Sequence, residues 1–84
     1  MLQVLNQVTG ATTRYATRTA ALAAGRRLAR ELATARAFAG ILEDPDDDQL
    51  RIYGMVENAE GRIVEAPPLV RVSFPRSPRR PWRG

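Results

Sequence analysis

Carboxylate side chains crowd one short segment of the chain, Glu43 to Gln49, which reads EDPDDDQ. Carboxylates at alternating positions bind calcium in EF-hand loops, which also need a glycine at the sixth position and a glutamate at the twelfth. Neither Asp44 nor Asp46, taken as the first position, supplies that glycine. We therefore interpret the segment as a solvated loop between two strands, with weak divalent-ion binding as the alternative. We expect no metal centre and no cofactor.

The side chains that enzymes use most often are missing. The sequence has no cysteine and no histidine, which removes thiolate nucleophiles, the commonest general base and the commonest metal ligand. Ser73 and Ser77 therefore have no histidine base to activate them. The glycines form neither a dinucleotide fingerprint nor a phosphate loop. The sequence predicts a protein that is not an enzyme.

Arginine gives the strongest signal for binding, since every basic residue is an arginine. Its planar guanidinium suits phosphates and carboxylates, although GC-rich codon usage explains the same bias and both causes can act together. The predicted helix places Arg26, Arg27 and Arg30 on one exposed face, with Arg18 and Arg36 at its boundary. This face either keeps the helix soluble or contacts phosphates or an acidic protein surface. We do not expect sequence-specific reading of DNA, because the sequence predicts no helix-turn-helix partner for this helix.

The chain ends in the basic stretch FPRSPRRPWRG, residues 74–84. Its candidate binding residues are Arg76, Arg79, Arg80, Trp82 and Arg83. Three interpretations of this stretch are open. It is either a basic arm that stacks its tryptophan on a nucleic-acid base, or a proline-rich ligand with P-x-x-P spacing, or a solvated end without a binding role. Its prolines and charge predict an extended or mobile tail over residues 75–84.

Charge is distributed unevenly along the chain, whose formal net charge is +4. Residues 1–37 contain six arginines and one glutamate, whereas residues 38–74 contain three arginines and eight acidic residues. Residues 75–84 contain four arginines and no acid. The body is therefore neutral and polarised, and the tail accounts for the whole excess charge.

One helix is predicted over roughly residues 18–37, with Thr17 as its N-cap. At 100° per residue, the small and apolar residues of this segment form one stripe, which we expect to be buried. That stripe consists of Ala21, Ala24, Gly25, Leu28, Leu32 and Ala35, with Leu22 and Ala29 on one shoulder. Gly25 costs stability in a helix interior, but on this stripe it permits close approach of the backbone to the sheet. Glu31 is spaced to pair with Arg27.

The remaining segments predict short strands. They cover residues 2–8, around 38–43, 49–56, 62–65 and 69–74, while residues 12–16 are either a strand or an irregular lead into the helix. In the 49–56 strand, Arg51, Tyr53 and Met55 face one way and the apolar residues the other. A turn at 58–61 closes a hairpin. Pro67 and Pro68 predict a bulge or an edge position, because proline donates no backbone hydrogen bond.

These elements predict an α+β fold in the order β(β)αβββ, with one antiparallel sheet of three to five strands packed by one amphipathic helix. Residues 1–74 form a single domain, and residues 75–84 form the tail. No apolar run is long enough to cross a membrane. We expect a protein without membrane contact, in the cytoplasm of a bacterial host cell; the oligomeric state stays open.

The segment RYATRTAALAAGRRLARELA, residues 14–33, followed by short strands, resembles the organisation of small accessory proteins of phages and prophages. Among these it is similar to anti-CRISPR-type inhibitors. The resemblance implies a protein that blocks a nucleic-acid-guided effector by occupying the surface where target DNA or a partner subunit docks. It transfers no functional residues, since no diagnostic motif is shared.

The sequence as a whole predicts a non-enzymatic binding or inhibitor protein. Its arginine helix face, aided or not by the tail, would engage an acidic or nucleic-acid-docking surface of a host protein or ribonucleoprotein complex. Direct, non-specific nucleic-acid binding is the alternative, and a structural or assembly component of a phage is a third. The neutral body favours the first, because dedicated nucleic-acid binders carry excess charge on the body.

Overall fold

The computed structural model describes residues 2–74, so the candidate binding residues of the predicted tail lie outside the described residues. One helix packs on one face of a five-stranded sheet, which confirms the predicted α+β fold. The elements are β1 (Gln3–Asn6), β2 (Thr12–Arg14), α1 (Arg18–Ala35), β3 (Gly40–Pro45), β4 (Gln49–Glu57) and β5 (Ile63–Ser73). The strand order is β2-β1-β5-β4-β3, with every neighbouring pair antiparallel. The sheet is open, with β2 and β3 at its edges.

The question left open at residues 12–16 is answered by β2, which pairs with β1 from Gln3 opposite Arg14 to Leu5 opposite Thr12. The turn between them is held by Asn6, whose side-chain oxygen accepts hydrogen bonds from the N–H groups of Val8 and Thr9 at 2.9 and 3.1 Å. Gly10 has φ +84° there, a conformation that side chains other than glycine rarely adopt. A short edge strand is the result.

The segments predicted as 62–65 and 69–74 form one continuous strand, β5. Its register against β4 shifts around Tyr53, which pairs with Pro68, while Met55 pairs with Glu65. The prediction of a bulge at the two prolines is therefore confirmed. β1 pairs with β5 only as far as Val70. Pro67 and Pro68 therefore lie beyond the pairing with β1, where the backbone N–H groups that they lack are not required by that strand.

The helix begins and ends with defined caps. Thr17 accepts a hydrogen bond from the Ala20 N–H at 3.1 Å, as predicted for the N-cap. At the other end Ala37 has φ +56°, and the N–H groups of Ala37 and Phe38 bond the carbonyls of Thr34 and Ala33. This pairing is a Schellman motif, and it ends the helix at Ala35, two residues before the predicted end.

The face of α1 that meets the sheet consists of small residues spaced four apart. They are Ala21, Gly25, Ala29 and Ala33, all buried. Ala21 and Gly25 were predicted on this stripe, whereas the prediction for Ala35 was wrong, because Ala35 is exposed in the last turn. The larger residues Leu28 and Leu32 are half-buried at the sides.

Helix and sheet approach each other closely at Gly25. A Cβ atom at this position would overlap a methyl group of Val72, a buried residue of the central strand β5. A second close approach lies at Gly54 of β4, where a Cβ would overlap the ring of Phe38. The remaining core residues on the sheet are Val4, Leu50, Ile52, Leu69, Val70 and Phe74.

Candidate binding site on the arginine-rich helix

The outward surface of α1 carries two arginines one turn apart. We call this surface the helix outer face; its exposed residues are Ala20, Ala23, Arg27, Arg30, Glu31 and Thr34. Within residues 2–74, neither Arg27 nor Arg30 forms an ion pair, and the predicted pairing of Glu31 with Arg27 is not made. Both guanidinium groups therefore have their donors open to solvent, on a surface whose other exposed residues are short side chains and Glu31.

Arg26 is not on this outer face, contrary to the prediction. Its position next to buried Gly25 directs it towards the edge strand β3, where it meets Glu43. Arg26 Nε donates to Glu43 Oε2 at 2.7 Å and Nη2 donates to Oε1 at 3.0 Å, a bidentate pair. Its guanidinium ties the helix to the sheet, so a binding role for Arg26 stays a prediction with less geometric support than that of Arg27 or Arg30.

The hydrogen bonds from Arg26 lower the pKa of Glu43, although partial burial of the carboxyl opposes the shift. The positive charges of Arg26 and Arg30 lower it further. The same hydrogen bond and charge raise the pKa of Arg26. The two side chains are 43% and 34% exposed, so solvent screening limits the contribution of this pair to about 1 kcal/mol or less.

Replacing Glu43 with glutamine is expected to reduce the loss in free energy of unfolding that the protein suffers between neutral and acidic pH. A carboxyl whose pKa is lowered by folding stabilises the folded state above its unfolded pKa, about 4.3, and loses that contribution as pH falls through the lower folded value. Urea unfolding of wild type and variant at about pH 7 and about pH 3 measures the difference. Glu31→Gln, which removes an exposed helix carboxylate without an ion pair among residues 2–74, is the control. Equal pH dependence in wild type and Glu43→Gln would contradict the assignment.

The two arginines at the ends of the helix lie in different surroundings. The Arg18 guanidinium carbon lies 4.0 Å from the centroid of the Phe74 ring, a cation–π contact that covers one end of the core. Arg36 caps the C-terminus of α1 and is exposed. Arg36 also borders a hollow lined in part by Phe38 and Pro67. The five predicted helix arginines are therefore not one surface, and only Arg27 and Arg30 lie together on the outer face.

The acidic segment is divided between a strand and a tight turn. Glu43 and Asp44 belong to β3, so this strand runs further than predicted, while Asp46 starts the turn and its N–H bonds the Gln49 carbonyl at 2.8 Å. Arg51 Nη2 lies 3.7 Å from Asp44 Oδ2 and 3.9 Å from Asp46 Oδ2. Among the described residues, no group of three or more carboxylates is arranged to hold a metal ion.

A second basic feature lies on the face of the sheet that the helix does not cover. We call it the helix-free face; paired residues of neighbouring strands share a face of the sheet, which gives one row across all five strands, a second across four and two shorter ones. Its residues are Thr12, Leu5, Arg71, Arg51 and Asp44 in the central row, Arg14, Gln3, Ser73 and Gln49 in the second, Pro68, Tyr53 and Leu42 in the third, and Glu65, Met55 and Gly40 in the fourth. The alternation of β4 predicted that Arg51 and Tyr53 share a face. That Arg71 lies opposite Arg51 depends on strand register, which the sequence pattern did not reveal.

Comparison of the chain with protein-family models, with curated proteins and with solved structures finds no match. The resemblance to anti-CRISPR-type inhibitors therefore stays a prediction. The helix of the described region, residues 2–74, is not long and apolar enough to cross a membrane.

Proposed function

We propose that this chain is a non-enzymatic binding protein whose helix outer face docks on an acidic surface of a bacterial protein or ribonucleoprotein complex. The observation that carries the proposal is the pair Arg27 and Arg30, exposed one turn apart with no ion pair to any residue of 2–74. A guanidinium with free donors forms bidentate bonds with carboxylates. Arginine is also enriched in protein interfaces.

The shape of the helix outer face favours a protein partner. Ala20, Ala23 and Thr34 are small, so a partner surface can approach the helix closely while the arginines reach its carboxylates. Glu43 of β3 lies beside the helix, as its contact with Arg26 shows. A carboxylate next to the arginines can orient the chain on a partner of mixed charge.

The inhibitor role follows from the resemblance of residues 14–33 and the following strands to phage-encoded anti-CRISPR-type proteins. In this form of the proposal, the helix outer face occupies a docking surface of a nucleic-acid-handling complex in the cytoplasm of the host cell. The absence of cysteine and histidine from the sequence supports action by occupancy and not by chemistry on the target.

A pull-down of interacting proteins tests the proposal. The full-length chain is immobilised and exposed to a bacterial lysate with and without nuclease treatment, and the retained proteins are identified by mass spectrometry. We expect an acidic protein or a protein subunit of a nucleoprotein complex to be retained after nuclease treatment, because the contact is with protein. Retention that disappears completely with nuclease would contradict the proposal and favour direct nucleic-acid binding.

A further inference from the structure

The centre of the helix-free face holds two arginines side by side. Arg51 of β4 and Arg71 of the central strand β5 are directly opposite each other. Like charges in this position destabilise a sheet. Arg51 has only distant acid partners at 3.7 and 3.9 Å, and Arg71 forms no ion pair within residues 2–74. The positive charge of Arg71 is therefore uncompensated where two neighbouring strands meet.

The Nε atoms of both arginines are buried and have no hydrogen-bond partner. A buried donor without a partner costs stability, and most such groups in folded proteins are satisfied. A ligand with acceptor atoms that bridges these two cross-strand partners would supply what both donors lack. We expect the ligand to be anionic, because a negative charge would also relieve the repulsion between the positive charges of Arg51 and Arg71.

An aromatic side chain lies on the same face beside the arginine pair. Tyr53 is two residues beyond Arg51 on β4, about 7 Å along the strand, and its cross-strand neighbour Leu42 is exposed. On the other side of the arginines lie the polar residues Gln49 and Ser73. Phosphate contacts from arginine, stacking on an aromatic ring and polar groups for base edges together are the features of single-strand recognition on a sheet.

From this arrangement we infer that the helix-free face binds single-stranded nucleic acid, with Arg51 and Arg71 on a phosphate and Tyr53 stacked on an adjacent base. The face is about 19 Å wide, from four strand spacings of about 4.8 Å, and the major groove of duplex DNA is about 12 Å wide, so the whole face does not fit into that groove. A second copy of the chain would bring one arginine pair against another. The helix outer face lies on the opposite side of the sheet, so this activity is separate from the proposed protein contact.

Fluorescence anisotropy with a labelled oligothymidylate tests the inference on the full-length chain. Replacing Arg51 and Arg71 together with glutamine is expected to weaken binding roughly tenfold or more, because charge-assisted hydrogen bonds to phosphate are lost. The slope of log K against log salt should become shallower by about 0.7, the value for one neutralised phosphate of a single strand, because both arginines contact the same phosphate. Tyr53→Leu should weaken binding roughly five- to a hundredfold, whereas Tyr53→Phe, which keeps the ring, should bind as the wild type.

The matched control removes the same two charges from the other side of the molecule. Arg27→Gln with Arg30→Gln has the same net charge as the sheet variant, so equal weakening of oligothymidylate binding by both would show general electrostatic attraction and overturn the site. Thermal unfolding gives a second readout: Arg71→Gln should be no less stable than wild type, because it removes a like-charge contact. A clear loss of stability would assign Arg71 a structural role instead.

Competition identifies the class of ligand. Duplex DNA, inorganic phosphate and a polyglutamate peptide are added to the complex with labelled oligothymidylate. We expect unlabelled oligothymidylate to compete at much lower concentration than each of these. Equal competition by polyglutamate would show that the face takes acidic peptide, and equal competition by duplex would show that base stacking makes no contribution; either result overturns the inference.

Discussion

Replacing Gly25 with leucine is expected to destabilise the protein by about 1–3 kcal/mol, the usual cost of adding bulk to a packed core. Even the first added atom would overlap a methyl group of Val72, so either the buried Val72 side chain or the helix must shift. Leucine is a better helix former than glycine by close to 1 kcal/mol, which acts in the opposite direction. Any fall in the melting temperature, at roughly 4–8 °C per kcal/mol for a domain of this size, must therefore come from the packing, because the change in helix propensity would raise it.

The neighbouring residue provides the matched control. Ala24 is half-buried and borders a groove of about 300 Å³ with Tyr15 and Leu28, so Ala24→Leu should be tolerated. The stripe predicted from the sequence gave Ala24 and Gly25 the same surroundings; the structure distinguishes them. If both variants are equally unstable, or if Gly25→Leu is as stable as wild type, the orientation of α1 is wrong.

A double-mutant cycle identifies the atoms responsible. Gly25→Ala adds only the Cβ that meets Val72, and Val72→Ala removes the methyl group that it meets. The cost of Gly25→Ala should therefore be smaller in the Val72→Ala background, with a coupling energy on the order of 0.5–3 kcal/mol. Additive effects would show that Gly25 does not pack on Val72.

The fold was largely predictable because its signals are local. Thr17 as N-cap, the small-residue stripe through Ala21 and Gly25, and the bulge at Pro67 and Pro68 each follow from residue chemistry over a few positions. The end of the helix was misplaced because Ala37 adopts a left-handed conformation that is usually left to glycine or asparagine. Ala35 is exposed for a different reason: the buried stripe follows Ala29 and Ala33, and at 100° per residue Ala35 lies on the opposite side of the helix from Ala33.

The binding surfaces were less predictable because they depend on contacts between distant segments. Periodicity places Arg26 near the exposed side of a lone helix, but only the position of β3 reveals its ion pair with Glu43, 17 residues away. The pairing of Arg51 with Arg71 requires the β4–β5 register across a bulge. A one-residue change of register would have put these side chains on opposite faces.

If the helix outer face docks on an acidic protein surface as proposed, reversing its charge is expected to abolish that binding. Arg27→Glu with Arg30→Glu places two carboxylates against an acidic surface, and such like-charge contacts cost several kcal/mol, or at least about a hundredfold in affinity. Both residues are exposed, so stability should change by about 1 kcal/mol or less. Arg26 is left unchanged, because its reversal would oppose Glu43 and confuse loss of binding with loss of fold.

Affinity of the purified partner and inhibition of an RNA-guided effector in a plasmid-interference assay measure the effect. The control is Arg14→Glu with Arg62→Glu, which makes the same charge change at two exposed arginines away from the helix. Only the helix variant should lose binding and inhibition. Specific docking depends on the position of the charges on the surface, whereas non-specific attraction depends on the net charge of the whole protein. Equal losses in both variants would assign the binding to net charge, and full retention in the helix variant would exclude the helix outer face as the docking surface.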